Sequence, residues 1–225
     1  MSKTAIIIPA RYGSSRLEGK PLIKVEGKPI IQWVYEKAQM AKLADMIIVA
    51  TDDKRIFDAV KEFGGNVEMT STEHKCGSDR IKEVVMRHPE ISYIVNLQGD
   101  EPLIKPESID EVAKNVKEVD DADISTLVRE IKDENEAENP NLVKCVFDNF
   151  GFAMYFSRSK IPYERNVGKA KIYGHLGIYG YKRNALIKMT ELPQTTYEQA
   201  ESLEQLRALQ NGMRIKISVV DFVPV

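Results

Sequence analysis

Residues 6–22 read IIIPARYGSSRLEGKPL. A short β-branched run such as Ile6–Ile8 suits a strand buried on both faces, and it opens into a loop that carries Gly13, Gly19, Ser14, Ser15 and three cations, Arg11, Arg16 and Lys20. Open α/β sheets collect ligands beyond the carboxyl ends of their strands, where loop N–H groups and basic side chains can wrap a polyphosphate. Two known phosphate signatures do not fit. Five residues separate Gly13 from Gly19, and Pro21 stands where a P-loop needs a magnesium-binding hydroxyl. The dinucleotide fingerprint fails because no glycine follows Gly13 at the required offset. The loop therefore reads either as a solvated βα turn or as a triphosphate clasp, and its glycines and serines favour the clasp. Arg11, Arg16 and Lys20 would supply about three positive charges, each charge-assisted hydrogen bond worth roughly 1.5–3 kcal/mol.

Outward from this loop the chain alternates strand and helix. The apolar periodicity predicts strands over 5–9, 46–50, 66–69 and 93–97 and helices over 30–43, 53–63, 79–87 and about 105–119, the last with Pro106 in its first turn. That order predicts a mostly parallel sheet covered on both faces. From Ile124 the pattern changes: strands are expected over 124–128, 143–147, 152–156 and 176–181, with Asp148-Asn149 as a hairpin turn and antiparallel pairing. Residues 133–141 are acidic and amide-rich, which predicts a solvated loop. One helix is expected over 198–210, stopped by Asn211-Gly212, and a final strand over 215–220.

Length and charge set limits. The 225 residues, 43% of them hydrophobic, suit one domain over 1–225 with an inserted section at about 124–182. A net charge of −2 argues against broad binding to nucleic acid or anionic lipid, so any basic site is local. The apolar run in MSKTAIIIPAR is too short for a membrane span or secretory core. Cys76 and Cys145 lie far apart with no metal-ligand spacing, so a soluble cytoplasmic protein with reduced thiols is expected.

A second constellation is YIVNLQGDEPLI, residues 93–104. A strand ending in Gln98-Gly99-Asp100-Glu101 puts two carboxylates at the ligand end of the sheet. Magnesium takes such oxygen ligands and fills its shell with phosphates and water. Asp100 is the favoured ligand; Glu101 reads equally as a solvated turn residue before Pro102.

Five blocks, PARYGSSRLEGKPL, NLQGDEPLI, YFSRSKIPY, GHLGIYGY and LEQLRAL, occur in this order and resemble the 3-deoxy-manno-octulosonate cytidylyltransferases over nearly the whole chain. The resemblance implies a three-layer nucleotidyltransferase-like α/β fold with a mostly parallel central sheet and an inserted antiparallel section. It also implies transfer of CMP from CTP to the sugar acid Kdo for lipopolysaccharide or capsule precursors, a magnesium requirement and a homodimer. Carried onto this chain, it places Arg11, Ser14, Arg16 and Lys20 on the nucleotide, Ser78 and Arg80 of GSDR near the cytosine, Gln98 as a further nucleotide contact and Asp100 on magnesium. Lys20, Arg11 and Asp100 carry the chemistry in this reading, and Arg158, His175, Tyr179, Glu204 and Gln205 form the sugar-acid pocket.

Taken singly, His175 and Tyr179 read as packed strand residues, and Glu204 and Gln205 as surface polar residues. His74 and His88 receive no role. Glu18 stands where the family often has proline, which changes loop stiffness. The sequence ends at Val225, whereas the family continues with a Gly-Val-Asp-Thr-Pro-Glu-Asp stretch whose first aspartate is a second magnesium ligand, and Asp221 is not its equivalent. The expectation is a site without that ligand; losing one charge-stabilising group costs about 2.7–4 kcal/mol at the transition state. A cytidylyltransferase for another 2-keto sugar acid, such as 8-amino-Kdo or a nonulosonic acid, and a non-catalytic nucleotide-binding protein are the alternative readings.

Overall fold

The computed structural model describes residues 2–13, 17–166 and 168–221. Its central sheet contains β1 (Lys3–Ala10), β4 (Met46–Thr51), β5 (Val67–Met69), β6 (Ile91–Asn96), β7 (Ile124–Ile131), β10 (Ile172–Lys182) and β11 (Ile215–Val219); β2 (Lys24–Val25) and β3 (Lys28–Pro29) form a small hairpin. The order across the sheet is β11-β7-β10-β6-β1-β4-β5. β5, β4, β1 and β6 run parallel, β10 is antiparallel to both β6 and β7, and β11 is parallel to β7. Strands β8 (Lys144–Phe147) and β9 (Ala153–Ser157) pair antiparallel and join the sheet where β8 meets β10 at Gly174. The mostly parallel sheet with an antiparallel section agrees with the sequence.

The isoleucine run explains the layering. Successive side chains of a strand point to opposite faces. Ala5 and Ile7 enter one core with α3 (Gly77–Arg87), α6 (Arg183–Glu191) and α8 (Gln205–Gln210). Ile6 and Ile8 enter the other with α1 (Ile30–Gln39), α2 (Lys54–Glu62) and α4 (Pro106–Glu118). All four side chains are fully buried, so each face of β1 is sealed by its own helix layer. At roughly 1.5–3 kcal/mol per buried Ile side chain, β1 anchors both layers.

Several boundaries differ from expectation. Helix α1 ends at Gln39 rather than near 43, because Asp110 accepts the Lys42 and Leu43 N–H groups and offers the chain an alternative to helical bonding. The acidic stretch 133–141 is not wholly loop: it holds the short helix α5 (Glu134–Glu138), started by Asp133 accepting the Asn135 N–H at 2.9 Å and fastened by buried Ala137 and the Glu136–Arg129 ion pair. The helix expected over 198–210 is two, α7 (Thr196–Glu201) and α8, broken at Ser202 with φ 52° and ψ 49°. The break is held by the Leu203 N–H on Glu198 O and by Arg207 reaching back to the Glu198 carboxylate at 2.8 Å. Helix α6 had no counterpart in the sequence expectation. Among the described residues no helix is long and apolar enough to cross a membrane.

Candidate active site

The carboxyl ends of β1 and β6 lie side by side, and their exits must pack closely for the two loops to meet. Gly99 permits this: a Cβ there would stand 3.1 Å from Pro9 O. Gly19, with φ +68°, starts the tight turn at Lys20–Leu22, and its N–H donates to Tyr12 O at 2.8 Å, closing the base of the loop. The turn presents Lys20 to the β6 exit. Its ammonium sits 2.6 Å from Asp100 Oδ2.

Arg11, Lys20, Arg80, Gln98 and Asp100 line one open cavity of about 270 Å³. Ser78, Gln98, Tyr179, Glu204 and Gln205 line a second, of about 210 Å³, and Gln98 and Gly77 belong to both walls. Residues expected on the nucleotide and residues expected in the sugar-acid pocket thus line adjoining cavities that share the Gln98 side chain. Gln98 is fixed there by donating Nε2–H to Asn96 Oδ1 at 3.1 Å.

The first cavity is the more cationic. Arg80 is nearly buried, and its guanidinium is shared between Asp52, at 2.6 Å, and Thr70. It therefore braces the wall through the segments that follow β4 and β5 while still lining the cavity. At the other side Glu101, beside Asp100, has its carboxyl pushed up to about 7, first by burial and then by the Asp100 charge, against the pull of Lys20.

The second cavity is lined by polar side chains on apolar supports. Glu204 accepts from Ser78 Oγ at 2.9 Å and Cys76 Sγ at 3.4 Å; burial raises its carboxyl and these bonds oppose the rise. Glu204 and Gln205 reach the cavity together because the left-handed Ser202 turns the start of α8 inward, where they occupy its cap and first position. Tyr179 is driven well above the usual phenol range by burial, so it is a neutral hydrogen-bonding group.

Two expected sugar-pocket residues stand outside both linings. Arg158 donates to Glu201 O at 2.6 Å, Pro140 O at 3.1 Å and Ser202 O at 3.3 Å, tying β9 to the end of α7. His175 is half-buried between Phe156 and Tyr179, with ring centroids 5.2 Å from each. Burial pushes its imidazole down to about 3. Thr126 Oγ1 lies 2.7 Å from Ile178 O and 2.9 Å from His175 Nε2. The single hydroxyl proton goes to the carbonyl, so His175 donates through Nε2 and keeps Nδ1 as an acceptor. Ser14, Arg16 and the terminal residues 222–225 lie outside the described residues.

His74, left without a role by the sequence, lines the first cavity. Its Nε2 is 2.5 Å from Glu83, which also accepts the Ser71 N–H at 2.9 Å. Sequence gave little signal for this pair: His74 lies in the loop before α3 and Glu83 within that helix, so no helical period joins them. Cys76 also lines the cavity, its thiol pushed up to about 12 by burial and by Glu204. Among the described residues no group of three or more His, Cys, Asp or Glu side chains is placed to hold a metal ion by itself.

Residues 5–215 match the family model described as Cytidylyltransferase. The chain is 48% identical to the 3-deoxy-manno-octulosonate cytidylyltransferase of Thermodesulfovibrio yellowstonii, covering 97% of this chain and 91% of that protein. It is 46% identical to the 8-amino-3,8-dideoxy-manno-octulosonate cytidylyltransferase of Shewanella frigidimarina, covering 98% and 91%. Among solved structures, a CMP:2-keto-3-deoxy-manno-octonic acid synthetase complexed with CTP superposes with a TM-score of 0.94 at 45% identity, over 97% of this chain and 90% of that one.

Proposed function

The chain belongs to the cytidylyltransferase family, and from that premise we propose that it transfers the cytidylyl group of CTP to 3-deoxy-manno-octulosonate, giving CMP-Kdo and pyrophosphate for lipopolysaccharide or capsule precursors. The observation that carries this reading is the pair of adjoining cavities sharing Gln98, one cationic and one lined by hydroxyl, amide and carboxyl groups. A triphosphate suits the first and a polyhydroxylated acid the second.

In this reading the anomeric 2-hydroxyl of the sugar attacks the α-phosphorus in line. The new O–P bond forms as the bond to pyrophosphate breaks, and the hydroxyl proton passes to solvent. Such transfers depend chiefly on positioning and on neutralising charge, which is the role of Lys20 and Arg11 at the phosphates. Gln98, at the wall common to both cavities, orients nucleotide and acceptor. His175, neutral and enclosed, supports the Tyr179 ring from behind.

We assign magnesium as the cofactor. The donor set fits an ion that takes one or two carboxylates and completes its shell with phosphate oxygens, since Asp100 lines the cationic cavity and Glu101 follows it in the chain. Asp100 would hold it, and when bound it would neutralise developing charge on the phosphates. We also propose a cytoplasmic homodimer. The free thiols Cys76 and Cys145 suit a reducing compartment. Exposed Phe150, Met154 and Tyr163, within the 124–182 section, supply apolar surface for a second copy.

Pyrophosphate release with CTP, magnesium and a panel of Kdo, 8-amino-Kdo and a nonulosonic acid tests the proposal. Turnover is expected with Kdo. Preference for 8-amino-Kdo, the acceptor named for the Shewanella relative, would move the assignment to that substrate, and CTP binding without turnover on any acid would make this a nucleotide-binding protein.

A further inference from the structure

Three residues outside both cavity linings form a stack against the loop that carries Lys20. Asp53 caps α2 by accepting the Arg55 N–H at 2.8 Å, and the same carboxylate grips the Arg55 guanidinium through Nε at 3.0 Å and Nη2 at 2.7 Å. This bidentate grip leaves the flat face of the guanidinium over the Tyr12 ring, with Arg55 Cζ 3.2 Å from the ring centroid. Tyr12 in turn lies flush on Gly19, where a Cβ would stand 3.0 Å from the ring. Gly19 O accepts the Leu22 N–H at 2.9 Å to start the turn that presents Lys20.

We propose that Arg55 is a positioning residue for nucleotide binding: gripped by Asp53, it holds the Tyr12 ring on Gly19 and so sets the place of Lys20 before the triphosphate arrives. The inference rests on the reading of the first cavity as the CTP site. Arg55 touches neither cavity, so its effect passes through Tyr12 and Gly19. Glu18 is the other charge acting on Arg55. A guanidinium on an aromatic face contributes modestly where exposed, and its loss should appear as weaker binding of the anion that the loop must meet in order.

The test is CTP binding by calorimetry on the full chain, with steady-state kinetics and a thermal melt on the same preparations. Arg55→Ala is expected to raise Kd and KM for CTP by about twofold to fivefold, while KM for the sugar acid and kcat change by less than about 1.5-fold. Arg55→Lys, which keeps the charge but loses the fork, should fall between. Tyr12→Leu should reproduce the Arg55→Ala rise, Tyr12→Phe should not, and combining Arg55→Ala with Tyr12→Leu should weaken binding no further than either alone. An Arg55→Ala protein that binds CTP as the parent does, whether or not it melts earlier, overturns the inference, as do fully additive effects of the two substitutions. Wild-type protein that fails to bind CTP overturns the site assignment itself, and the inference with it.

Discussion

Lys20 Nζ lies 2.6 Å from Asp100 Oδ2, joining the exits of β1 and β6 across 80 residues of sequence. Both side chains are more than a third exposed, at 36% and 48%, so the pair is worth little as a stabilising bridge. On the proposed function its meaning is chemical: a cation that would meet phosphate and a carboxylate that would hold magnesium share one opening and neutralise each other in the free protein. Asp100→Asn should lower kcat/KM by about 100-fold or more, in line with the loss of a charge-positioning group at a transition state, and should raise the magnesium needed for half-maximal rate. Melting temperature should hardly move. Near-normal turnover of Asp100→Asn at limiting magnesium would remove the metal assignment.

Glu101 predicts a pH effect on stability of the magnesium-free protein. Burial and then the Asp100 charge push its carboxyl up to about 7 in the folded protein from 4.5 as a free group. A raised folded value contributes stability that is present in full below about pH 4.5 and lost as pH rises through 7, an effect of about 3 kcal/mol. Glu101→Gln cannot release that proton. Between pH 5 and 8 the parent should lose stability relative to this variant, and parallel denaturation curves at both pH values would contradict the cause given.

His175 works the other way. With its imidazole pushed down to about 3 from 6.5, it contributes stability that is present above pH 6.5 and is lost as pH falls toward 3. At neutral pH the ring is uncharged with its proton on Nε2, so nitrogen-15 shifts of the ring should stay constant from pH 5 to 9. Thr126→Val removes the acceptor and should cost about 1–3 kcal/mol, because a buried N–H is left unpaired. A ring that titrates near 6.5 in the folded protein would refute this.

The Glu198–Arg207 pair predicts a stability effect far from the chemistry. Both side chains are under a tenth exposed and join by two hydrogen bonds, one of them 2.8 Å. Removing one partner strands a buried charge. Glu198→Ala should therefore destabilise by about 3–5 kcal/mol in urea unfolding, and with the turn at Ser202 loosened it should also raise KM for the sugar acid. A loss below about 1 kcal/mol would show that the pair does not hold the break.

Much of the fold was legible because burial on two faces leaves a strong trace. Ile6–Ile8 could hardly be anything but an inner strand, and the change of rhythm at Ile124 announced the antiparallel section. What escaped notice had non-local causes. Helix α1 is cut short by Asp110, which lies in another helix, and the α7–α8 break depends on Arg207 folding back to Glu198. In the site, Lys20 and Asp100 were readable as loop residues after strands. Arg158 was expected in the acid pocket, yet it is engaged by three backbone carbonyls contributed by Pro140, Glu201 and Ser202, none of which leaves a sequence pattern. His74 and Glu83 meet only because the loop before α3 folds back along that helix.

Strand β10 runs for 11 residues, shifting register against β7 between Leu176 and Tyr179, and Tyr179 pairs with Asn96 on one side and Thr126 on the other. Slipping that register by a single step would turn every side chain to the opposite face, so natural selection has almost no latitude to adapt acceptor choice there. The tolerant wall is the opposite one, where Glu204 and Gln205 hang from a kinked helical hairpin. Directed-evolution libraries aimed at unnatural sugar acids should thus yield winners from positions 204 and 205 and mostly dead clones from 176–181.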